Sequence, residues 1–187
     1  MDLPFTLHLK DASPVVLDIM QPEQVETVRE LLNHIISEGV SYPQDQPLSP
    51  QDFQAYWMKG EAFVVRRTLG ADREATMGTT AARDIVGAFY IKPNFPGRCG
   101  HICNAGFIVP PEVRGQGVGR LMGEAMLTLA RDRGYRAVMY NLIFETNIPS
   151  LKLWESLGFQ EIGRIPGAAH LPDGRYVDAI MLYCPLT

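Results

Sequence analysis

The sequence predicts one α/β domain built on a mixed sheet. Three observations carry this. β-Rich runs alternate with helix-periodic runs along the whole chain; a strand broken at Pro110 and Pro111 passes through a glycine-rich turn into an amphipathic helix; and no internal repeat, charge block or linker-like stretch divides the 187 residues. A chain of this length buries a sufficient apolar core as a single domain, so residues 1–187 are read as one unit.

In order along the chain, Pro14 to Met20 (PVVLDIM) is a short β-rich run. Pro22 then opens a helix in which Val25, Val28, Leu31, Leu32, Ile35 and Ile36 recur at helical spacing. Ser49, Pro50 and Asp52 form a helix-start signature for a short second helix from Phe53 to Met58. Ala62 to Thr68 reads as a strand, Gly70 to Arg83 as a flexible hairpin connection, and Ile85 to Lys92 as the returning strand. After the rigid loop KPNFPGRCG, the segment HICNAGFIVP is a further strand that the double proline stops. Val118, Leu121, Met122, Ala125, Met126 and Leu129 give the next helix a buried stripe, and Gly134 stands where a left-handed cap is wanted. Ala137 to Ile143 is a strand, Ser150 to Leu157 a helix, and Phe159 to Ile165 with Arg175 to Tyr183 the closing pair of strands.

Composition narrows the function. A net charge of −4 provides no basic footprint for nucleic acid or an anionic membrane, so any anionic ligand must be held by local geometry. Mean hydropathy near zero fits neither a disordered nor a membrane chain. The first residues, MDLPFTLHLKDASP, resemble neither a secretory signal nor a transit peptide, and three cysteines are too few for a disulfide framework, so a reducing, cytoplasmic setting is expected.

The most informative stretch is VPPEVRGQGVG, Val109 to Gly119. Gly115, Gly117 and Gly119 lack a Cβ, so the backbone can curl closely and aim successive N–H groups at one point beside the positive end of a helix. Two linked phosphates need such convergent donors, and Arg114 adds a charge-assisted contact. The alternative is that the glycines only permit tight packing of helix on sheet. The turn lacks the Lys-Ser/Thr ending of an ATP-binding loop, and it lies too far into the chain for an amino-terminal dinucleotide fingerprint.

Arg114-Gly115-Gln116-Gly117-Val118-Gly119 resembles the Arg/Gln-x-x-Gly-x-Gly/Ala coenzyme A signature of the GNAT superfamily of N-acetyltransferases. Asn147 to Phe159 (NIPSLKLWESLGF) resembles the second block of that superfamily, in the same order and separation. The resemblance implies a GNAT-like fold, with a mixed central sheet splayed between two parallel strands and helices on both faces. It implies acetyl-CoA as cofactor, with Phe107, Ile108 and Val109 pairing with the pantetheine arm like an added strand, and with the Phe107 amide polarising the thioester carbonyl. Residues 114–119 would hold the diphosphate, and Asn147, Ser150 and Trp154 would lie along the pantetheine or thiol end.

KPNFPGRCGHICNAGF, YNLIFETN and VDAIML are further similar to fungal enzymes that acetylate azetidine-2-carboxylate and related proline analogues. That likeness nominates three asparagines, Asn104 and Asn141 as acceptor ligands in the gap between the parting strands and Asn147 for the pantetheine or thiol end of the cofactor, because an amide both donates and accepts without competing for protons. The alternative for each asparagine is a local bond to backbone. Trp154 stands where many members of the superfamily carry a proton-donating tyrosine, and indole cannot take that role. Glu145 and Asp178 are candidate bases acting through water, and His101 and His170 are weaker ones. Cys99, His101 and Cys103 alternate, yet lack a fourth ligand and a knuckle-like spacing, so no metal is expected.

The sequence therefore leads to acetyl transfer onto a small amine or amino acid, by direct attack in a ternary complex. Acetylation of peptide or protein amines, and an acyl-CoA-binding module without turnover, are the alternatives. Neither nucleic acid nor membrane is expected as partner, and a homodimer is compatible with the chain.

Overall fold

The computed structural model describes residues 2–68 and 84–186; the expected hairpin connection from Gly70 to Arg83 lies outside the described residues. One eight-stranded sheet runs through the molecule. Its strands are β1 (Phe5–His8), β2 (Pro14–Ile19), β3 (Glu61–Arg67), β4 (Ile85–Pro93), β5 (Ile102–Ile108), β6 (Ala137–Phe144), β7 (Gln160–His170) and β8 (Tyr176–Pro185), in the order β1-β2-β3-β4-β5-β6-β8-β7. The β5–β6 pair is parallel and all other neighbours are antiparallel.

Helices cover both faces. The chain places α1 (Val25–Glu38) and α2 (Pro50–Trp57) on one face, where Val28, Leu32, Ile35, Phe53 and Trp57 pack with Val64, Ala88 and Ile108. On the other face lie α3 (Val118–Asp132) and α4 (Ile148–Ser156), with Met122, Met126, Leu129 and Trp154 packed on Phe63, Phe89, Cys103 and Tyr140. Each large side chain fully buried in these layers contributes roughly 1.5–3 kcal/mol relative to exposure. The expected stripe on α3 is the buried one: Met122, Met126 and Leu129 have no exposure. Ser49 caps α2 as its sequence suggests, its Oγ accepting from Asp52 N–H at 3.1 Å and donating to Asp52 Oδ2 at 2.6 Å.

Two differences from the sequence reading stand out. β1 is an additional edge strand paired to β2 from Phe5↔Leu17 to His8↔Pro14. β7 continues past Ile165 to His170, with register shifts against β8 on the way. Among the described residues no helix is long and apolar enough to cross a membrane.

Candidate active site

The parting of β5 and β6 creates the site. Their pairing consists of Ile102↔Ala137 and Cys103↔Val138, after which the strands diverge. A bulge contributes on the β6 side: between Tyr140 and Ile143, β6 carries one residue more than β8 does between Leu182 and Ile180, and such an insertion bends a strand. On the β5 side, the Asn104 side chain donates from Nδ2 to Met139 O at 2.9 Å, one step beyond the last paired residue. Asn104 thus closes the base of the gap.

The ladder phase fixes which main-chain groups look into the gap. Asn94 N–H donates to Ile102 O at 2.8 Å, and bonded and open pairs alternate along an antiparallel ladder. Lys92/Asn104, Tyr90/Gly106 and Ala88/Ile108 are therefore bonded pairs, while Ile91/Ala105 and Phe89/Phe107 point their amides and carbonyls away from each other. Phe107 consequently presents its N–H to the open edge, and its carbonyl there accepts from Tyr42 Oη at 2.9 Å. Ile108 corrects the expectation placed on it: its backbone faces β4 and its side chain is fully buried under α1 and α2, so it does not reach the gap. Val109 lines the cleft and is half-buried.

At the upper end of β5 the chain turns through Gly115 and Gly117, both left-handed at φ 79° and 93°. That conformation costs an L-residue roughly 1–2 kcal/mol, which explains glycine at these positions. Within the turn Arg114 N–H bonds Pro111 O and Gln116 N–H bonds Val113 O, and the first bond into α3 runs from Leu121 N–H to Gly117 O. The preceding amides, Val118, Gly119 and Arg120, are the positions a helix leaves without an internal acceptor, and Gly117 supplies no capping side chain. A Cβ on Gly115 would meet nothing within 4 Å among the described residues, so none of them closes the turn there. The arrangement leaves helix-start amides facing space that no described residue fills, a geometry suited to an anion.

Arg114 does not aim its charge at that cradle. Its Nη2 contacts both carboxylate oxygens of Glu38 at 2.9 Å and its Nε reaches Val109 O at 3.3 Å, which ties the end of α1 to the turn. The cations that sequence reasoning missed are Lys10, whose side chain lies 2.9 Å from a Cβ built on Gly117, and Arg120. Gln116 turns its side chain to Glu112 O, and Val118 is buried in the core.

Asn104 and Asn141 both line the cleft between β5 and β6, as their positions implied, but neither amide is idle. Asn104 Oδ1 lies 3.4 Å from Tyr90 Oη in addition to the Met139 contact. Asn141 exchanges two bonds with Asn94, at 2.7 and 2.9 Å, an amide pair that sequence reading did not find because the partners lie on separate elements. Asn147 caps α4, accepting from Ser150 N–H at 3.3 Å. Trp154 is buried at 4% exposure among Phe107, Tyr140 and Phe159, and its indole N–H donates to Ser150 Oγ at 2.9 Å.

The candidate bases are placed elsewhere. Glu145 accepts from Asp178 N–H and pairs with Arg164, while Asp178 accepts from Gly167 N–H, a bond that holds its carboxyl below the ordinary range with help from Arg164. Both belong to a β7–β8 surface network and neither lines the cleft. His101 is exposed in the turn before β5, and His170 stacks on Tyr176 at the end of β7. Cys99 is exposed while Cys103 is buried in the core.

The open edge, the cradle and a tyrosine- and asparagine-lined pocket share one cleft of about 1370 Å³. The family model for "Acetyltransferase (GNAT) family" matches residues 31–159, which include the open β5 edge, the glycine turn and the start of α3, and Asn104, Asn141 and Asn147. N-acetyltransferase aca1 of Schizosaccharomyces pombe is 38% identical over 162 residues, covering 84% of this chain and 78% of that protein. A GCN5-related N-acetyltransferase from Kribbella flavida superposes with a TM-score of 0.79 at 29% identity, covering 91% of this chain and 97% of its own. A phosphinothricin acetyltransferase from Sinorhizobium meliloti, solved in complex with AcCoA, shares the fold with a TM-score of 0.74 at 17% identity, covering 91% and 88%. With its splayed sheet, its amide cradle and a family match over most of its length, the chain belongs to the acetyltransferase (GNAT) family.

Proposed function

We propose that this enzyme, an acetyl-CoA-dependent N-acetyltransferase, acetylates the amine of a small molecule, a proline-like amino acid such as azetidine-2-carboxylate, by direct attack in a ternary complex. The observation that carries the reading is the continuity of the cleft: the open β5 edge, the free helix-start amides and the asparagine-lined pocket face one space. The similarity of KPNFPGRCGHICNAGF, YNLIFETN and VDAIML to proline-analogue acetyltransferases supports the choice of acceptor.

The residues fit the cofactor. The amides from Gly117 to Arg120 would hold the diphosphate, with Lys10 and Arg120 nearby; Phe107 and Val109 would pair with the pantetheine arm; and Asn147 and Ser150 would border the thiol end. Bound there, acetyl-CoA supplies an activated acetyl thioester. The Phe107 N–H on the open edge is placed to stabilise an oxyanion, a role of the kind that preorganised backbone amides perform. Asn104 and Asn141, each held by a second group, would present a fixed amide surface to the acceptor. Trp154 walls the acetyl pocket. Cys103 and Cys184 are buried free thiols, which suits a reducing setting such as the cytoplasm.

The test is a thiol-release assay with azetidine-2-carboxylate, proline derivatives, polyamines and peptides. Turnover led by cyclic secondary amino acids is expected. Peptides outcompeting free amino acids would replace the acceptor assignment, and tight acetyl-CoA binding without thiol release on any amine would leave only a binding module.

A further inference from the structure

Among the described residues, the lining of the cleft is electrically one-sided. Glu38 is the carboxylate in its lining, and Arg114 occupies both of its oxygens. Lys59, Lys92 and Arg175 line the same cleft, with Arg175 already paired to Asp173.

Lys92 is the unusual member. It lies on β4 opposite Asn104, half-buried, with Nζ 4.4 Å from the Tyr56 ring centroid and 4.2 Å from that of Tyr90. The two rings meet edge to face at 5.9 Å, and Nζ sits over both. It donates to Tyr56 O at 2.9 Å, in the last turn of α2, and forms no ion pair among the described residues. An ammonium has three donors, so this one carbonyl leaves Lys92 with donors to spare. Burial, with the charge of Lys59 beside it, pushes the lysine down to about 8, as expected of a cation that has lost water without gaining a counter-ion. Gly106 keeps the arrangement possible: a Cβ there would lie 2.5 Å from the Tyr90 ring.

A structural bridge between β4 and α2 accounts for the bond to Tyr56, yet does not require a cation facing the cleft, where a neutral donor would serve. We propose that Lys92 is the counter-ion for a carboxylate on the acceptor, so that the enzyme selects amines that carry an acid group, with the acid seated among Lys92, Tyr56 and Tyr90 beside Asn104. The inference rests on the reading of this cleft as the acceptor site. The same charge disfavours polyamines and lysine side chains, since like charges in a partly desolvated site repel.

The experiment measures kcat/KM for azetidine-2-carboxylate, proline and a set of primary α-amino acids, each beside its own carboxamide, in the wild type, Lys92→Met and Lys92→Arg, with acetyl-CoA binding followed by calorimetry. The wild type is expected to favour the acid of each pair. Lys92→Met should lower the acid-over-amide ratio by about tenfold or more, and Lys92→Arg should preserve most of it. Because the readout is a ratio within one variant, a general loss of folding or packing does not move it. An unchanged ratio in Lys92→Met overturns the role of Lys92 while leaving acetyl transfer intact. A wild type that prefers carboxamides or polyamines overturns acid selection. A wild type that binds acetyl-CoA yet acetylates neither member of any pair overturns both the acceptor reading and this one.

Discussion

Placing a negative charge in the cradle tests the central physical claim with little disturbance to the fold. Gly115 is the position of choice, because it is left-handed at φ 79° and a Cβ there meets nothing within 4 Å among the described residues. Asp and Asn both visit the left-handed region more readily than other L-residues, and they share one shape. Gly115→Asn therefore imposes the same small conformational cost as Gly115→Asp without the charge. The difference between the two variants isolates electrostatics. Two unit charges at about 4 Å repel by about 1 kcal/mol in water and about 4 kcal/mol at the effective dielectric near a protein surface. For a partly covered cradle about 2–4 kcal/mol is expected, so Gly115→Asp should bind acetyl-CoA roughly 30- to 1,000-fold more weakly than Gly115→Asn. Calorimetric titration measures this, and far-ultraviolet circular dichroism verifies the fold of each variant. Equal affinities in two folded variants would mean that no phosphate lies at this turn, and the cradle assignment would fail.

Other expectations follow from single contacts. Asn94 and Asn141 share two bonds, so removing either amide removes both; the double variant should be about as stable as each single alanine variant, and additive losses in urea unfolding would show that the pair is not a unit. Tyr140 carries a buried hydroxyl without a hydrogen-bond partner among the described residues, and burial raises its pKa well above the phenol range; Tyr140→Phe should stabilise the protein by about 1 kcal/mol, and a lowered unfolding midpoint would reveal a partner for that hydroxyl. Lys92, pushed down to about 8, is charged below that value and neutral above it. With Lys59, Tyr56 and Tyr90 the groups that face it, KM for a carboxylate acceptor should rise as pH passes about 8, while KM for its carboxamide does not follow and Lys92→Arg stays flat. Parallel pH profiles for acid and amide would count against a charged Lys92 in acceptor binding.

The sequence disclosed the elements whose signal is local. The stripe on α3, the double proline after β5 and the glycines at 115 and 117 each act within a few residues, and each appears where periodicity and turn chemistry placed it. β1 escaped notice for a physical reason: as a four-residue edge strand with mostly exposed side chains, it has no alternation to betray it. Pro166 and Gly167 masked the continuation of β7, which tolerates them by shifting register between Ile165 and Ala169. The side-chain partners at the site were not legible, because they depend on tertiary proximity. Nothing local in the chain ties Asn94 to Asn141 or Arg114 to Glu38, and nothing shows that Glu145 faces Arg164 instead of the cleft. Lys10 was hidden with the strand that precedes it.

The inventory of protons in the cleft bears on how the reaction proceeds under the proposed assignment. Glu38 is held by Arg114, Glu145 and Asp178 lie outside, and the Trp154 N–H is committed to Ser150, so among the described residues the cleft's side chains offer neither an idle carboxylate as base nor an indole proton for the departing thiolate. What they do offer is position and potential: a Phe107 amide on the open edge, two braced asparagines, and a cation near the acceptor. A cation close to a bound amine lowers the amine's proton affinity, which favours the neutral nucleophile before any base is needed. Lys92 would thus act twice, seating the acid group and helping the neighbouring nitrogen to shed its proton to water. Orientation supplies the remainder, since holding a neutral amine against an activated acyl group requires no covalent intermediate on the protein.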